Sequence, residues 1–115
     1  MTAPAELPVL CCAPLTQSSL SPAEAGATAA LFKALADPTR VQIVNLLANA
    51  GGPVCVCEMN ERFDLSQPTM SHHLKKLVGA GLLDREQRGT WAYYSIREDA
   101  LYQLADVFQA KGETR

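Results

Sequence analysis

Four cysteines are the residues of this chain whose chemistry asks for an explanation, and they fall in two pairs: Cys11-Cys12 in "VLCCAP" and Cys55-x-Cys57 in "GGPVCVCEMN". Pro53 and the glycines before it close one segment, and the run from Val56 onward has helical character, with Glu58 at capping-box spacing. In such a box a Ser or Thr hydroxyl accepts the backbone N–H three residues on, while the Glu reaches back to the first N–H. Cys55 occupies the hydroxyl's place. A thiol is a weak acceptor, so the exchange costs about 1 kcal/mol of helix stability, and a second sulfur follows at Cys57. Unpaired N–H groups at a helix start favour thiolate over thiol, which suits Cys55 to capture of a soft ion. In a continuing helix, side chains at i and i+2 diverge by about 200 degrees. A capping residue is not yet helical, so Cys55 and Cys57 retain the freedom to converge. Packing as small apolar residues is the plainer alternative, but it leaves Cys11 and Cys12, in a segment with no hydrophobic reason to hold them, unexplained. Structural zinc wants Cys pairs two to four residues apart, and neither "CC" nor "CVC" supplies one.

Composition decides which chemistries are open to these thiols. The 115 residues make one domain with a modest core, small enough that a dimer interface would help it. Net charge is −2, which argues against a uniformly basic nucleic-acid coat and leaves local patches open. No apolar run approaches the roughly 18–20 residues of a membrane span, and no Lys or Arg precedes Lys33, so a secretory leader lacks its basic region. The expected location is therefore the cytoplasm, where thiols stay reduced and serve as metal ligands or redox groups rather than as two disulfides. No nucleophile with a base, nucleotide loop or catalytic metal set is visible, so an enzyme is not expected.

The elements that must position the cysteines follow along the chain. Residues 1–21 hold three prolines and small polar residues such as "TQSS", and are expected to form a flexible tail carrying Cys11 and Cys12; residues 22–111 form the folded domain. Ser21-Pro22 opens a helix over "PAEAGATAALFKALA", and "DPTR" opens a second whose Val41, Ile43, Val44, Leu46 and Leu47 are expected to bury it. A short third helix runs from Cys55 to about Phe63, and Asp64-Leu65 turn into a fourth, "SQPTMSHHLKKLVGAG". There Met70, Leu74, Leu77 and Val78 form one apolar stripe, with Gly81 as the stop. Gln67, Ser71, His72, Lys75 and Lys76 lie opposite. "LLDREQ", "RGT" and "WAYYSI" read as a hairpin in which Trp91, Tyr93 and Tyr94 pack across strands. A last helix, "EDALYQLADVFQA", places Leu101, Leu104, Ala105 and Phe108 on one side. A mainly α chain with one small β-hairpin in this order is a winged helix-turn-helix.

Charge placement agrees. From Arg62 to Arg97 six Lys/Arg stand against three Asp/Glu, while the remainder of the chain is net −5. A helix-turn-helix sets its second helix in the major groove, with base contacts from its first turns and phosphate contacts from N-terminal amides and hydroxyls. Ser66, Gln67, Thr69 and Ser71 suit those contacts, His72 and Lys75 reach bases or phosphates further along, and Arg85 and Arg88 on the hairpin reach the backbone or adjacent minor groove. His73 is expected to be a packed or capping ring, and a metal pair with His72 is not expected. A simply solvated polar face is the alternative for any amphipathic helix; the neighbouring turn, short helix and hairpin weigh against it.

"LFKALADPTRVQIVNLL" followed by "LSQPTMSHHLKKLVGAGLLDREQRGTWAYYSI" resembles the ArsR/SmtB family of bacterial metal-responsive repressors over roughly residues 28–108. The resemblance implies a winged-helix homodimer, first and last helices at its interface, that occupies double-stranded operator DNA until a metal or metalloid binds. One family site uses Asp and His on the last helix; residues 98–115 contain no His, so that site is expected to be absent. Another is a "C-V-C" pair opening the helix before the reading helix, which Cys55-Val56-Cys57 matches, but the usual third cysteine is Asn60. Relatives that sense arsenite join a vicinal tail pair to a third-helix thiol, and relatives that sense cadmium or lead join two tail cysteines to "C-V-C". This chain has features of both, so the resemblance implies Cys11, Cys12, Cys55 and Cys57 as ligands. Arsenite and antimonite take three sulfurs in a pyramid, whereas cadmium, lead or zinc suits four donors. As(III) or Sb(III) is the expected inducer, Cd(II), Pb(II) or Zn(II) the alternative, and a Cys12–Cys55 redox switch a third possibility.

Overall fold

Each helix except the last starts where a short side chain takes up orphan N–H groups. The computed structural model describes residues 20–109, so Cys11, Cys12 and the last residues of the expected domain lie outside the described residues. Helix α1 spans Pro22–Leu35, and a complete capping box opens it: Ser21 Oγ accepts the Glu24 N–H at 3.0 Å while Glu24 Oε1 accepts the Ser21 N–H at 2.9 Å. Helix α2, Pro38–Ala50, starts at Asp37, whose Oδ1 accepts the N–H groups of Thr39 and Arg40 at 2.9 and 3.2 Å. Burial works against the Asp37 charge, yet these two backbone donors hold its carboxyl below the ordinary range.

Strand β1 is the two residues Val54–Cys55, followed directly by α3, Val56–Phe63. Asp64 in the left-handed region (φ 52°) turns the chain, and Ser66 caps α4, Gln67–Ala80. Asp tolerates that region better than most side chains. Gly81 (φ 93°) ends α4, its N–H returning to Val78 O at 3.0 Å while Leu82 N–H bonds Leu77 O at 3.0 Å, a Schellman-type stop. Strands β2, Leu83–Arg88, and β3, Trp91–Ile96, meet at Gly89-Thr90; Gly89 has φ 64° and Thr90 does not, the signature of a two-residue II′ turn. Helix α5, Glu98–Asp106, completes the order.

The sheet departs from the expected hairpin. It has three antiparallel strands in the order β1-β3-β2, with Val54 opposite Tyr94 and Cys55 opposite Tyr93. Two residues carry no period, so a strand this short has no sequence signal of its own; it exists because β3 offers a free edge.

Ile43, Leu47, Met59, Met70, Leu74, Leu77, Leu82 and Leu83 are fully buried and join α2, α3, α4 and β2 in one core. Burying a side chain of this size contributes roughly 1.5–3 kcal/mol. Met70, Leu74 and Leu77 are the expected stripe of α4, with Val78 packed at its margin. Val41, expected inside, is 50% exposed. At 100 degrees per residue it stands opposite Ile43 and Leu47, so the five apolar residues of α2 cannot all face one side. The last helix also stops short of the expected span, and Phe108, beyond its end, is 75% exposed.

Candidate thiol site and nucleic-acid face

The two described cysteines meet. Cys55, at the end of β1 with φ −68° and ψ 139°, has extended backbone, and its Sγ accepts the Cys57 N–H at 3.3 Å. The non-helical cap turns the first sulfur back toward the second, overcoming the divergence of i and i+2 positions. Their Cα atoms are 5.2 Å apart and the two Sγ atoms are in contact as a disulfide. Sulfur thus replaces hydroxyl as the α3 cap, as expected, but the cap is a single bond to the second helical N–H. No return bond from Glu58 completes a box. Cys55 is buried and Cys57 half-buried, and among the described residues the sulfur partner of Cys55 is Cys57. Among the described residues no cluster of three or more His, Cys, Asp or Glu stands ready for a metal ion. When reduced, this pair offers two thiolate donors side by side.

Asn60 stands three residues after Cys57, on the same helix face. Its Oδ1 is buried and has no hydrogen-bond partner among the described residues. Sequence reasoning treated Asn60 only as a missing ligand; that it leaves a buried acceptor unpaired, a state that costs free energy, had no sequence signal.

The polar face of α4 divides in two. Ser66 and Thr69 are engaged with each other, Ser66 Oγ accepting the Thr69 N–H at 3.3 Å and donating to Thr69 Oγ1 at 2.9 Å. Gln67, Ser71, His72 and Lys75 are exposed, their side chains without hydrogen-bond or ion-pair partners among the described residues. His73 turns inward, as its packed role required, and accepts from Arg40 Nε at 3.1 Å through Nδ1. Arg40 was read from "DPTR" only as part of a helix start; its partner lies 33 positions away, so spacing could not reveal it.

On the wing, Arg85 Nε donates to Tyr94 OH at 3.2 Å and its Nη2 to Gln87 Oε1 at 2.6 Å. Arg88 lies over the Tyr93 ring, 4.5 Å from its centroid, and pairs with Glu86 at 3.1 Å. The Glu86 hydrogen bond raises the Arg88 guanidinium above its ordinary range. Exposed pairs of this kind contribute little, so Arg88 can exchange Glu86 for a phosphate at small cost. Tyr94 is buried under the wing, Tyr93 supports Arg88, and Trp91, opposite Arg88 at the tip, is 47% exposed. Arg97, not singled out from sequence, fastens the wing to α5 by pairing with Asp84 and Asp99 at 3.1 and 3.0 Å.

Cys55 is therefore connected to both halves of this face. Its strand pairs with Tyr93 of the wing, and its helix leads through Asp64–Ser66 into α4, Met59 and Met70 sharing one core.

The family model described as bacterial regulatory protein, arsR family, matches residues 37–85. An arsenical resistance operon repressor of Bacillus subtilis (strain 168) is 39% identical over 87 residues, covering 71% of this chain and 82% of that protein. A cadmium resistance regulatory protein homolog of Staphylococcus aureus is 37% identical over 78 residues, covering 68% and 64%. In three dimensions the chain is similar to a homodimeric winged helix-turn-helix DNA-binding domain from Mycobacterium bovis, a possible ArsR-family regulator, with TM-score 0.64 and 33% identity over 82% of this chain and 86% of that one.

Proposed function

Because the chain belongs to the arsR family of bacterial regulatory proteins, we propose that it is a dimeric transcriptional repressor, released from operator DNA when As(III) or Sb(III) is captured by cysteine thiolates. The observation that carries this reading is the convergence of the Cys55 and Cys57 sulfurs at the start of α3, on the strand that pairs with the wing and at the head of the helix that leads into the reading helix. The third sulfur is Cys11 or Cys12, on the tail of the same or the partner subunit. Each As–S bond forms with loss of one arsenite hydroxide and one thiol proton as water, so three thiols leave a pyramidal trithiolate and three waters. Gln67, Ser71, His72 and Lys75, with the Ser66 and Thr69 hydroxyls at the start of α4, read and hold the major groove, and Arg85 and Arg88 follow the backbone. Dimerisation uses α1 and α5. Phe32 and Phe108 stack edge to face at 6.0 Å and remain 39% and 75% exposed, and Tyr102 on α5 is 68% exposed. The similarity to a homodimeric domain supports the same use here.

Tethering the tail to α3 strains β1 and the turn into α4, which penalises the spacing of two reading heads. A coupling of about 1–3 kcal/mol weakens DNA binding 5- to 150-fold. The S. aureus relative favours a second inducer, Cd(II) or Pb(II), held by all four sulfurs. The Cys55–Cys57 contact favours a third reading, in which peroxide takes two electrons and two protons from these thiols, leaves water, and removes both donors. Titrating reduced, operator-bound protein with arsenite, cadmium and peroxide in parallel separates them. Release by arsenite at the lowest dose is expected, with thiolate-to-metalloid absorption; release by peroxide alone overturns the metalloid reading.

A further inference from the structure

Arg40 ties three helices together at one point. Its Nη1 donates to Ala34 O near the end of α1 at 3.3 Å, its own backbone N–H is bound by the α2 cap Asp37, and its Nε donates to Nδ1 of His73 on α4 at 3.1 Å. Among the described residues α1 and α4 otherwise meet through apolar packing, which fixes distance better than rotation. A directional bond from α2 to the inward side of α4 fixes how the outward side is presented.

We propose that Arg40 and His73 are positioning residues for the reading helix, and that protonation of His73 releases it, so that DNA affinity falls on acidification. This rests on the DNA-binding reading above. Nδ1 accepts only while it carries no proton. In the imidazolium both ring nitrogens are donors, and a guanidinium at 3.1 Å becomes a like-charged neighbour. The charged and titratable groups facing His73 are Arg40 on α2, Asp37 at the α2 cap and His72 on its own helix, ring centroids 6.1 Å apart. Asp37 lies within electrostatic reach of His73. His72 faces outward, and its own protonation strengthens phosphate attraction; the two adjacent histidines therefore act with opposite signs on DNA affinity.

The test compares full-length dimer, His73→Asn, His73→Phe and His72→Asn on one operator fragment at pH 7.5 and at about pH 5.5, the interval across which imidazole changes charge, at constant ionic strength. Asn places an amide oxygen near the Nδ1 position and does not titrate. Wild type should bind about three- to tenfold more weakly at the lower pH, the size of one lost hydrogen bond, and His72→Asn should steepen that fall. His73→Asn should bind as wild type does at pH 7.5 with the fall abolished, while His73→Phe should be weak at both values with an unchanged melting temperature. An undiminished acid fall in His73→Asn overturns the inference, as does tight binding by His73→Phe. Absence of operator binding by wild type at either pH instead overturns the DNA-binding reading itself.

Discussion

At Cys55 two demands on one atom can be pulled apart. Its sulfur both caps α3 and, in the account above, ligates the inducer. Serine keeps an acceptor at the cap, and a better one, so Cys55→Ser should leave the melting temperature unchanged or raise stability by up to about 1 kcal/mol. The same variant should need at least tenfold more arsenite to release DNA. A destabilised Cys55→Ser protein with a normal inducer response would show that the cysteine is kept for packing. Asn60 offers the converse experiment. It shares the α3 face with Cys57 and carries a buried oxygen unpaired among the described residues. Asn60→Cys should add a local third sulfur and restore arsenite-driven release to a chain whose Cys11 and Cys12 are both serine, measured by fluorescence anisotropy of labelled operator. Of this site, the pairing of sulfur with a helix start was legible in "VCVCE". The convergence was legible only as a freedom, because it depends on the backbone angles of one residue. Asn60's orphan oxygen and the Arg40–His73 contact were not legible at all, since each depends on what lies across a fold.

Among the elements, those with a strong period or a strong punctuation mark were readable. The α4 stripe and its Gly81 stop lie where spacing puts them, and Asp37 opens α2. What the pattern misjudged was whatever a neighbour decides: a two-residue strand borrowed from the edge of β3, the outward Val41, and the early end of α5. Gly81 gives the element-scale test. At φ 93° a Cβ meets nothing within 4 Å, so Gly81→Ala costs backbone strain alone, about 1–2 kcal/mol. Urea denaturation should show that loss without a changed slope. A neutral Gly81→Ala would mean that the chain relaxes out of the left-handed turn and that the stop does not set the angle between α4 and the wing.

For the whole molecule the claim is that one chain supplies half of a machine. The exposed Phe32, Tyr102 and Phe108 lie on or beside α1 and α5, on elements other than α4 and the wing. Phe108→Asp places a charge where two copies are to meet. It should shift sedimentation toward monomer at micromolar concentration and weaken operator binding at least tenfold, because two half-sites can no longer be engaged together. A variant that remains dimeric and binds normally would move the interface elsewhere. The central claim, that thiols of the first segment close over the Cys55–Cys57 pair to loosen the grip on DNA, is tested most directly by one comparison. Arsenite is titrated into operator complexes of the full chain and of a chain lacking residues 1–15, under reducing conditions. The account predicts equal affinity for DNA without arsenite and a release curve displaced at least tenfold, or lost, in the shortened chain; superimposable curves would contradict it.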